Sequence, residues 1–316
     1  MFLLARRCRP VLGLDMTGSS IRLIELATRR GQYCVEAFAA EPMPQSARNE
    51  NTLPDPDVAA AIIRRAVRRA GTHCRHVALA IGREGGITKV IQMPRTLDAH
   101  SLEQQLQLQL EQLTPFPPEE VSFDFEVLGP SLNDPSTNDV LLVASRTDYV
   151  ECYAAAAVRA GLTAHIADLK PFAQESACRL LTHQMPDGGV DRTIAVIDFG
   201  LTSATFSVLR NLEVIHARDF ALSPIVDETA QQVSRSLQFY LASARGHERP
   251  DQILVCGERS DLESVSQAIQ HQLSIPAQLG DPLGQMRISA NAQANGVEHE
   301  AAALLTACGL ALRSFD

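Results

Sequence analysis

Three runs of strand character open the chain: Val11 to Asp15, Ser20 to Ala27 and Tyr33 to Ala40, each bounded by Gly or polar turn residues. Their short spacing predicts a three-strand meander. A loop rich in Pro, Asn and Asp, from Pro42 to Pro56, leads to an Ala- and Arg-rich helix with Asp57 near its start and Gly71 just past its end. Ile62, Ile63 and Val67 mark its core side; Arg64, Arg65, Arg68 and Arg69 read as a solvated face, with nucleic acid or lipid as the alternative contact. A strand from His76 to Ile81 and a second hairpin at Ile87 to Met93 come next. Leu102, Leu106, Leu110 and Leu113 then recur at near-helical spacing until Pro115-Phe116-Pro117-Pro118 stops the helix. Strands at Val121 to Val127 and Val140 to Ser145 precede a helix from about Asp148 to Ala160.

A strand at Ala164 to Asp168 and a helix from Pro171 to about Met185 lead to the Pro186-Asp187-Gly188-Gly189 turn, the expected hinge between two halves. The opening pattern then returns as strands Thr193 to Asp198, Ala204 to Leu209 and Glu213 to Phe220. A helix from about Pro224 to Ala244, a strand at Ile253 to Cys256, and helices at about Asp261 to Leu273 and His299 to Arg313 complete the chain.

At 316 residues the chain is about twice the usual single-domain size, so two lobes with separate cores are expected. Hydrophobic residues at 45% and charged ones at 21% exclude a disordered or collagen-like chain. The net charge of -9 has the wrong sign for a protein that coats nucleic acid. Seven cysteines, odd in number and with no CxxC pair, read as reduced thiols in a cytosol. His73, Cys74 and His76 have metal-ligand spacing, but no second cluster completes four ligands. No apolar run approaches the roughly 20 residues a membrane-spanning helix needs. At the N-terminus the apolar stretch precedes Arg6, Arg7 and Arg9, the reverse of a secretory signal, so a cytoplasmic location is expected. That cluster reads as a solvated terminus, with an anionic membrane surface as the alternative contact.

Two segments share one design: Leu14-Asp-Met-Thr-Gly-Ser-Ser-Ile-Arg-Leu-Ile-Glu-Leu26 and Ile197-Asp-Phe-Gly-Leu-Thr-Ser-Ala-Thr-Phe-Ser-Val-Leu209. In each, a strand ends in Asp, a turn of small residues follows, and a second strand returns. Small residues let backbone N–H groups approach an anion, and an Asp at a strand end can hold hydrated Mg²⁺. Asp and Gly are also what an ordinary hairpin uses. Two copies, one per half and each opening a meander, can clamp a triphosphate between them.

On these residues the chain resembles the actin-like superfamily, with its α/β, ribonuclease H-like, two-lobed fold. It more closely resembles the PilM family of type IV pilus assembly proteins, relatives of FtsA. That closer resemblance rests on Gly13 to Leu26, Ile87-Thr-Lys-Val-Ile-Gln-Met-Pro94, Glu111 to Val121 with its Pro115-Phe-Pro117, Ser234-Arg-Ser-Leu-Gln-Phe-Tyr240 and Ala307-Cys-Gly-Leu-Ala-Leu312. It implies residues 1–81 and 164–190 in a first lobe, 82–163 as an FtsA-type inserted subdomain, 191–298 as a second lobe with a shortened upper subdomain, and 299–316 as an interlobe helix.

For function, the resemblance implies a cytoplasmic adaptor peripheral to the inner membrane. Its partner would be the N-terminal cytoplasmic tail of a bitopic PilN-like protein, held between the inserted subdomain and the first lobe, with other pilus platform proteins beyond it. Phe116, Phe123 and Phe125 are the expected gripping residues, and core packing is their alternative role. ATP and Mg²⁺ are the implied ligands of Asp15, Thr17, Gly18, Ser19, Ser20 and Arg22 in the first turn, of Asp198, Gly200, Thr202 and Ser203 in the second, and of Gly257, with Asp15 and Asp198 on the metal. Gly309 opposite Ala173 and Ala177 is the implied interlobe hinge.

Three departures from the family pattern oppose a working nucleotide site. Thr17 stands where the first turn usually has glycine, and Arg22 replaces the usual Lys. Glu258 and Arg259 follow Gly257 where a second glycine and a small residue are expected, setting a carboxylate beside a phosphorylated ligand. Only about a dozen residues separate Phe220 from the helix bearing Arg235, too few for a full adenine-covering subdomain. The expected protein is therefore a non-catalytic adaptor or a very weak ATPase. An active ATPase or small-molecule kinase with Glu111 or Asp168 as base, and a self-associating filament former, are the alternatives.

Overall fold

The computed structural model describes residues 10–44, 55–82, 85–132, 134–243 and 248–315, and the expected basic cluster at Arg6 to Arg9 lies outside them. The opening meander consists of β1 (Leu12–Met16), β2 (Ser20–Arg29) and β3 (Gln32–Pro42), joined by antiparallel pairing. Every residue of β1 is buried, as a central strand with both faces covered requires. Helix α1 (Pro56–Ala70) starts on an Asp55 side chain that accepts the Asp57 N–H, and ends at Gly71 in the left-handed region. It buries Ile62, Ile63 and Ala66 against Leu14, Ile21 and Leu23. Strand β4 (His76–Ile81) then pairs parallel with β1.

The inserted part is smaller than expected. Strands β5 (Gly86–Pro94), β6 (Val121–Pro130) and β7 (Thr137–Arg146) form a separate sheet in the order β5-β7-β6, with α2 (Ala99–Leu113) on one face. Asp98 caps α2 by accepting the Ser101 N–H at 2.8 Å. Helix α3 (Thr147–Arg159), expected within the inserted block, belongs instead to the first lobe. Its Ala156 and Ala157 are fully buried in the core shared with α1 and β4, because an alanine face lets two helices approach closely. Strand β8 (Thr163–Leu169) extends the first sheet beside β4.

Helix α4 (Lys170–Cys178) gives way to 3-10 turns at Arg179–Gln184 and Pro186–Gly189, so the helix is shorter than its sequence pattern predicts. The second lobe then repeats the first. Strands β9 (Thr193–Phe199), β10 (Ser203–Arg210) and β11 (Glu213–Ala221) form the meander, followed by α5 (Val226–Ala242), β12 (Gln252–Gly257), α6 (Leu262–Leu273) and β13 (Ala277–Leu279). Its sheet order, β11-β10-β9-β12-β13, matches β3-β2-β1-β4-β8 of the first lobe. Phe199, Phe206 and Tyr240 are fully buried here, each stabilising the lobe by roughly 2–3 kcal/mol.

The segment after β13 does not stay in the second lobe, where residues up to 298 were expected. Strand β14 (Arg287–Ile288) pairs parallel with β3, and α7 (Ala290–Ala294) packs over the same strand. Asn291 and Asn295 fix this return by donating to the carbonyls of Ala70 at 2.6 Å and of Phe38 and Arg69 at 3.0 Å. A 3-10 stretch (Val297–Leu304) and α8 (Leu305–Leu312) follow, and every residue of α8 is buried. No helix among the described residues is long and apolar enough to cross a membrane.

Candidate functional site

Helices α4 and α8 cross between the lobes. A Cβ built on Gly309 would lie 1.7 Å from the Ala173 carbonyl oxygen, and one on Gly13 would lie 1.9 Å from the Ala307 carbonyl oxygen. The backbones are in direct contact at both places, which only glycine permits. Ala177 is buried one turn along α4, in the cluster that also holds Leu305.

Above this crossing the two Asp-ended strands face one cleft. Asp15 and Asp198 stand next to last in β1 and β9, and both are buried. Lys170 at the start of α4 lies between them, its ammonium 3.0 Å from Asp198 Oδ2. Gln174 Nε2 donates to the same oxygen at 2.6 Å and to Thr306 Oγ1 at 3.2 Å. Burial raises the Asp15 carboxyl to about 6, with Glu258 and Asp198 adding to the rise while Lys170 and Arg22 oppose it. Desolvation alone would depress the Lys170 ammonium, but Asp198 and Asp15 outweigh it and hold the charge more firmly than usual. Among the described residues, no group of three or more His, Cys, Asp or Glu can hold a metal ion.

Because Asp15 keeps its proton to about pH 6 when folded and loses it near 3.8 when unfolded, the native state binds the extra proton across that window. Stability therefore falls as pH rises through it and stays lower above. Asp15→Asn is expected to raise the unfolding free energy near pH 8 by up to about 3 kcal/mol and to change little near pH 4. Urea melts at the two pH values check this.

The first turn is tied to itself. Thr17 Oγ1 accepts the N–H groups of Ser20 at 3.1 Å and Ser19 at 3.3 Å, while Thr17 N donates to the Ser20 carbonyl at 2.9 Å. Those three amides are therefore bonded within the turn. The side chains are claimed from across it: Ser19 Oγ donates to Glu258 Oε2, and Arg22 donates to Glu258 Oε1 at 2.6 Å and to Glu300 Oε2 at 3.0 Å. Ser20 Oγ is buried and has no hydrogen-bond partner among the described residues. In the second turn, Gly200 N donates to Ser203 O at 2.9 Å and Thr202 O accepts the Leu222 N–H at 2.9 Å.

Gly257 serves packing. Its φ is +120°, and a Cβ there would meet the Phe199 carbonyl oxygen at 2.1 Å. Glu258 N donates to that oxygen at 2.8 Å, which aims the following side chain across the cleft. Arg259 turns the other way, paired with both Asp261 oxygens at 2.8 Å and donating to Ser223 O at 2.8 Å. These residues and the second turn border a cavity of about 600 Å³.

A second and larger recess, about 830 Å³, separates the small sheet from the first lobe. Leu141, Val143 and Ser145 of β7 form one wall with Ser122, Asp124 and Glu126 of β6; Ile81, Leu169 and Phe172 stand opposite. Phe123 and Phe125 border this groove from the edge strand, but their rings pack with Met93, Leu102 and Leu106 under α2. Cross-strand pairing places them with Ala144 and Leu142 on the face away from the groove. Phe116 lies outside it, in a shallow recess of the Pro115–Pro118 loop that Glu111 also borders. Asp168, imagined as a base, is held by Arg313 at 2.7 and 2.9 Å. The groove-facing β7 residues escaped sequence reasoning because an alternating strand marks two faces without saying which one a helix covers.

Two lobes of equal strand order, each presenting an Asp-ended strand and turn to a shared cleft above two crossing helices, define an actin-like protein. The family model described as type IV pilus assembly protein PilM matches residues 13–222 and 220–315, and the chain belongs to that family. Among solved structures it is similar to one titled PilM-PilN type IV pilus biogenesis complex, at TM-score 0.78 and 22% identity over 97% of this chain and 99% of that one. The ethanolamine utilization protein EutJ from Carboxydothermus hydrogenoformans aligns at TM-score 0.52 and 14% identity, over 96% and 89% of the two chains. A Bacteroides thetaiotaomicron protein with an actin-like ATPase fold aligns at 0.49 and 10% identity, over 97% and 99%.

Actin-like folds can take a nucleotide in this cleft. The amides of Thr17, Ser19 and Ser20 are bonded within the first turn, and Ser19 Oγ and Arg22 are bound to Glu258.

Proposed function

We propose that the chain is a non-catalytic adaptor of type IV pilus assembly that holds the N-terminal cytoplasmic tail of a bitopic PilN-like protein. The observation that carries this reading is the 830 Å³ groove between the small sheet and the first lobe. Its apolar wall residues Leu141, Val143, Leu169 and Phe172 suit an extended apolar segment, and Asp124, Glu126 and Glu175 at its margins suit a tail that also carries basic residues. The similarity to a structure titled as a PilM-PilN complex supports the same partner. Gripping such a tail brings the adaptor to the cytoplasmic face of the inner membrane.

Fluorescence anisotropy with a labelled PilN-like tail peptide tests this. Leu141→Glu and Val143→Glu lie on a half-exposed sheet face that tolerates charge in the free protein. Each removes roughly 1.5–3 kcal/mol of apolar contact, so affinity is expected to fall about 10- to 100-fold. Phe116→Ala, outside the groove, is expected to leave it unchanged. Wild-type affinity in both glutamate variants would sink the assignment of the groove.

A further inference from the structure

We propose that Glu258 is the first turn's own anion: its carboxylate takes the donors of Ser19 and Arg22 in place of a ligand phosphate and clasps the second lobe onto the first without nucleotide. This concerns the cleft alone and does not depend on the tail groove.

Three observations carry it. The contact joins the lobes, because Glu258 follows β12 of the second lobe while Ser19 and Arg22 belong to the β1–β2 hairpin of the first. The chemistry is that of anion recognition: one carboxylate oxygen accepts a hydroxyl and the other a guanidinium N–H at 2.6 Å, charge-assisted bonds that a phosphate oxygen would form equally well. The side chain is also aimed by its backbone. Gly257 at φ +120° and the Glu258 N–H on the Phe199 carbonyl leave the carboxylate directed over the first turn. Arg22 is buried and anchored from a second side by Glu300, so the receiving end of the clasp is fixed in advance. With the carboxylate gone, Ser19 Oγ and Arg22 would remain as donors facing the place it held.

Hydrogen–deuterium exchange on the full chain, with inorganic pyrophosphate as the probe, tests this. In Glu258→Ala, the amides of residues 17–20 and 257–260 are expected to exchange roughly tenfold faster than in wild type. Millimolar pyrophosphate is expected to slow them again in the variant while leaving wild type unchanged. Glu258→Gln keeps the side chain's shape and should shift in the same direction, so the test survives if the alanine variant folds poorly. Unchanged exchange in both variants would overturn the clasp. Equal protection of wild type and variant by pyrophosphate, or protection of neither, would overturn Glu258 as the occupant of an anion position.

Discussion

Gly309→Ala is expected to lower the melting temperature by roughly 10 °C or more, and Gly309→Leu to prevent folding. Overpacking a core with a methyl group usually costs about 1–3 kcal/mol because neighbouring side chains yield. Here nothing can yield cheaply: the added carbon would meet the backbone of α4, at 1.7 Å from the Ala173 oxygen and 2.5 Å from its carbonyl carbon. The two helices must separate, and α8 is buried along its whole length, so the separation opens contacts with both lobes. A cost of about 4–5 kcal/mol follows, the range reserved for a few severe mechanisms. Shrinking the opposing side chain with Ala173→Gly should rescue nothing, since the clash is with main chain. Calorimetry on the single and double variants, with Ala61→Ser on the exposed side of α1 as control, checks all of this. An unchanged melting temperature in Gly309→Ala would mean the helices stand further apart than the structure has them.

Arg22→Ala should be nearly as damaging, through charge. The arginine neutralises Glu258 and Glu300 and lies close to Asp15, whose carboxyl burial already raises to about 6. Removing one partner of a buried pair typically costs about 3–5 kcal/mol, because the other charge stays behind. The loss should depend on pH in a defined direction. Without the opposing charge of Arg22 the buried Asp15 carboxyl holds its proton still more firmly in the native state, at pH values where the unfolded chain has released it, so the variant's stability falls as pH rises. Its deficit relative to wild type is expected to be small near pH 5 and largest near pH 8. Urea unfolding at both values reads this, and Arg22→Lys, which keeps the charge but not the fork, should fall between. A deficit that does not vary with pH would assign the loss to packing instead.

Both positions show what the sequence discloses and what it withholds. The repeated meander was legible from β1 to β3 and from β9 to β11, because uniformly apolar strands ending in Asp and a turn are local patterns. Gly309 against Ala173 came from the family resemblance, since small residues alone also mark ordinary helix packing, and the backbone contact between the two helices is what the structure adds. The partner of Arg22 was not: it lies 236 residues away, and only folding shows that Glu258 crosses the cleft to meet it. The location of α3 was hidden because an alanine face marks close packing without naming the neighbour. Strand β14, at two residues, is too short to leave a period. Phe123 and Phe125 were conspicuous for their size, yet the less prominent Leu141 and Val143 face the groove.

The return of the chain at β14 also governs the order in which the protein can be made. During synthesis the strands β1 to β4 leave the ribosome early, yet β3 stays an open edge and the face beneath β1 and β2 stays bare until Arg287 and α8 have emerged. The first lobe is thus begun first and finished last. Until then its exposed edge and apolar underside are the surfaces a chaperone must shield, and fragments cut at the Pro186–Gly189 turn would inherit that incompleteness permanently.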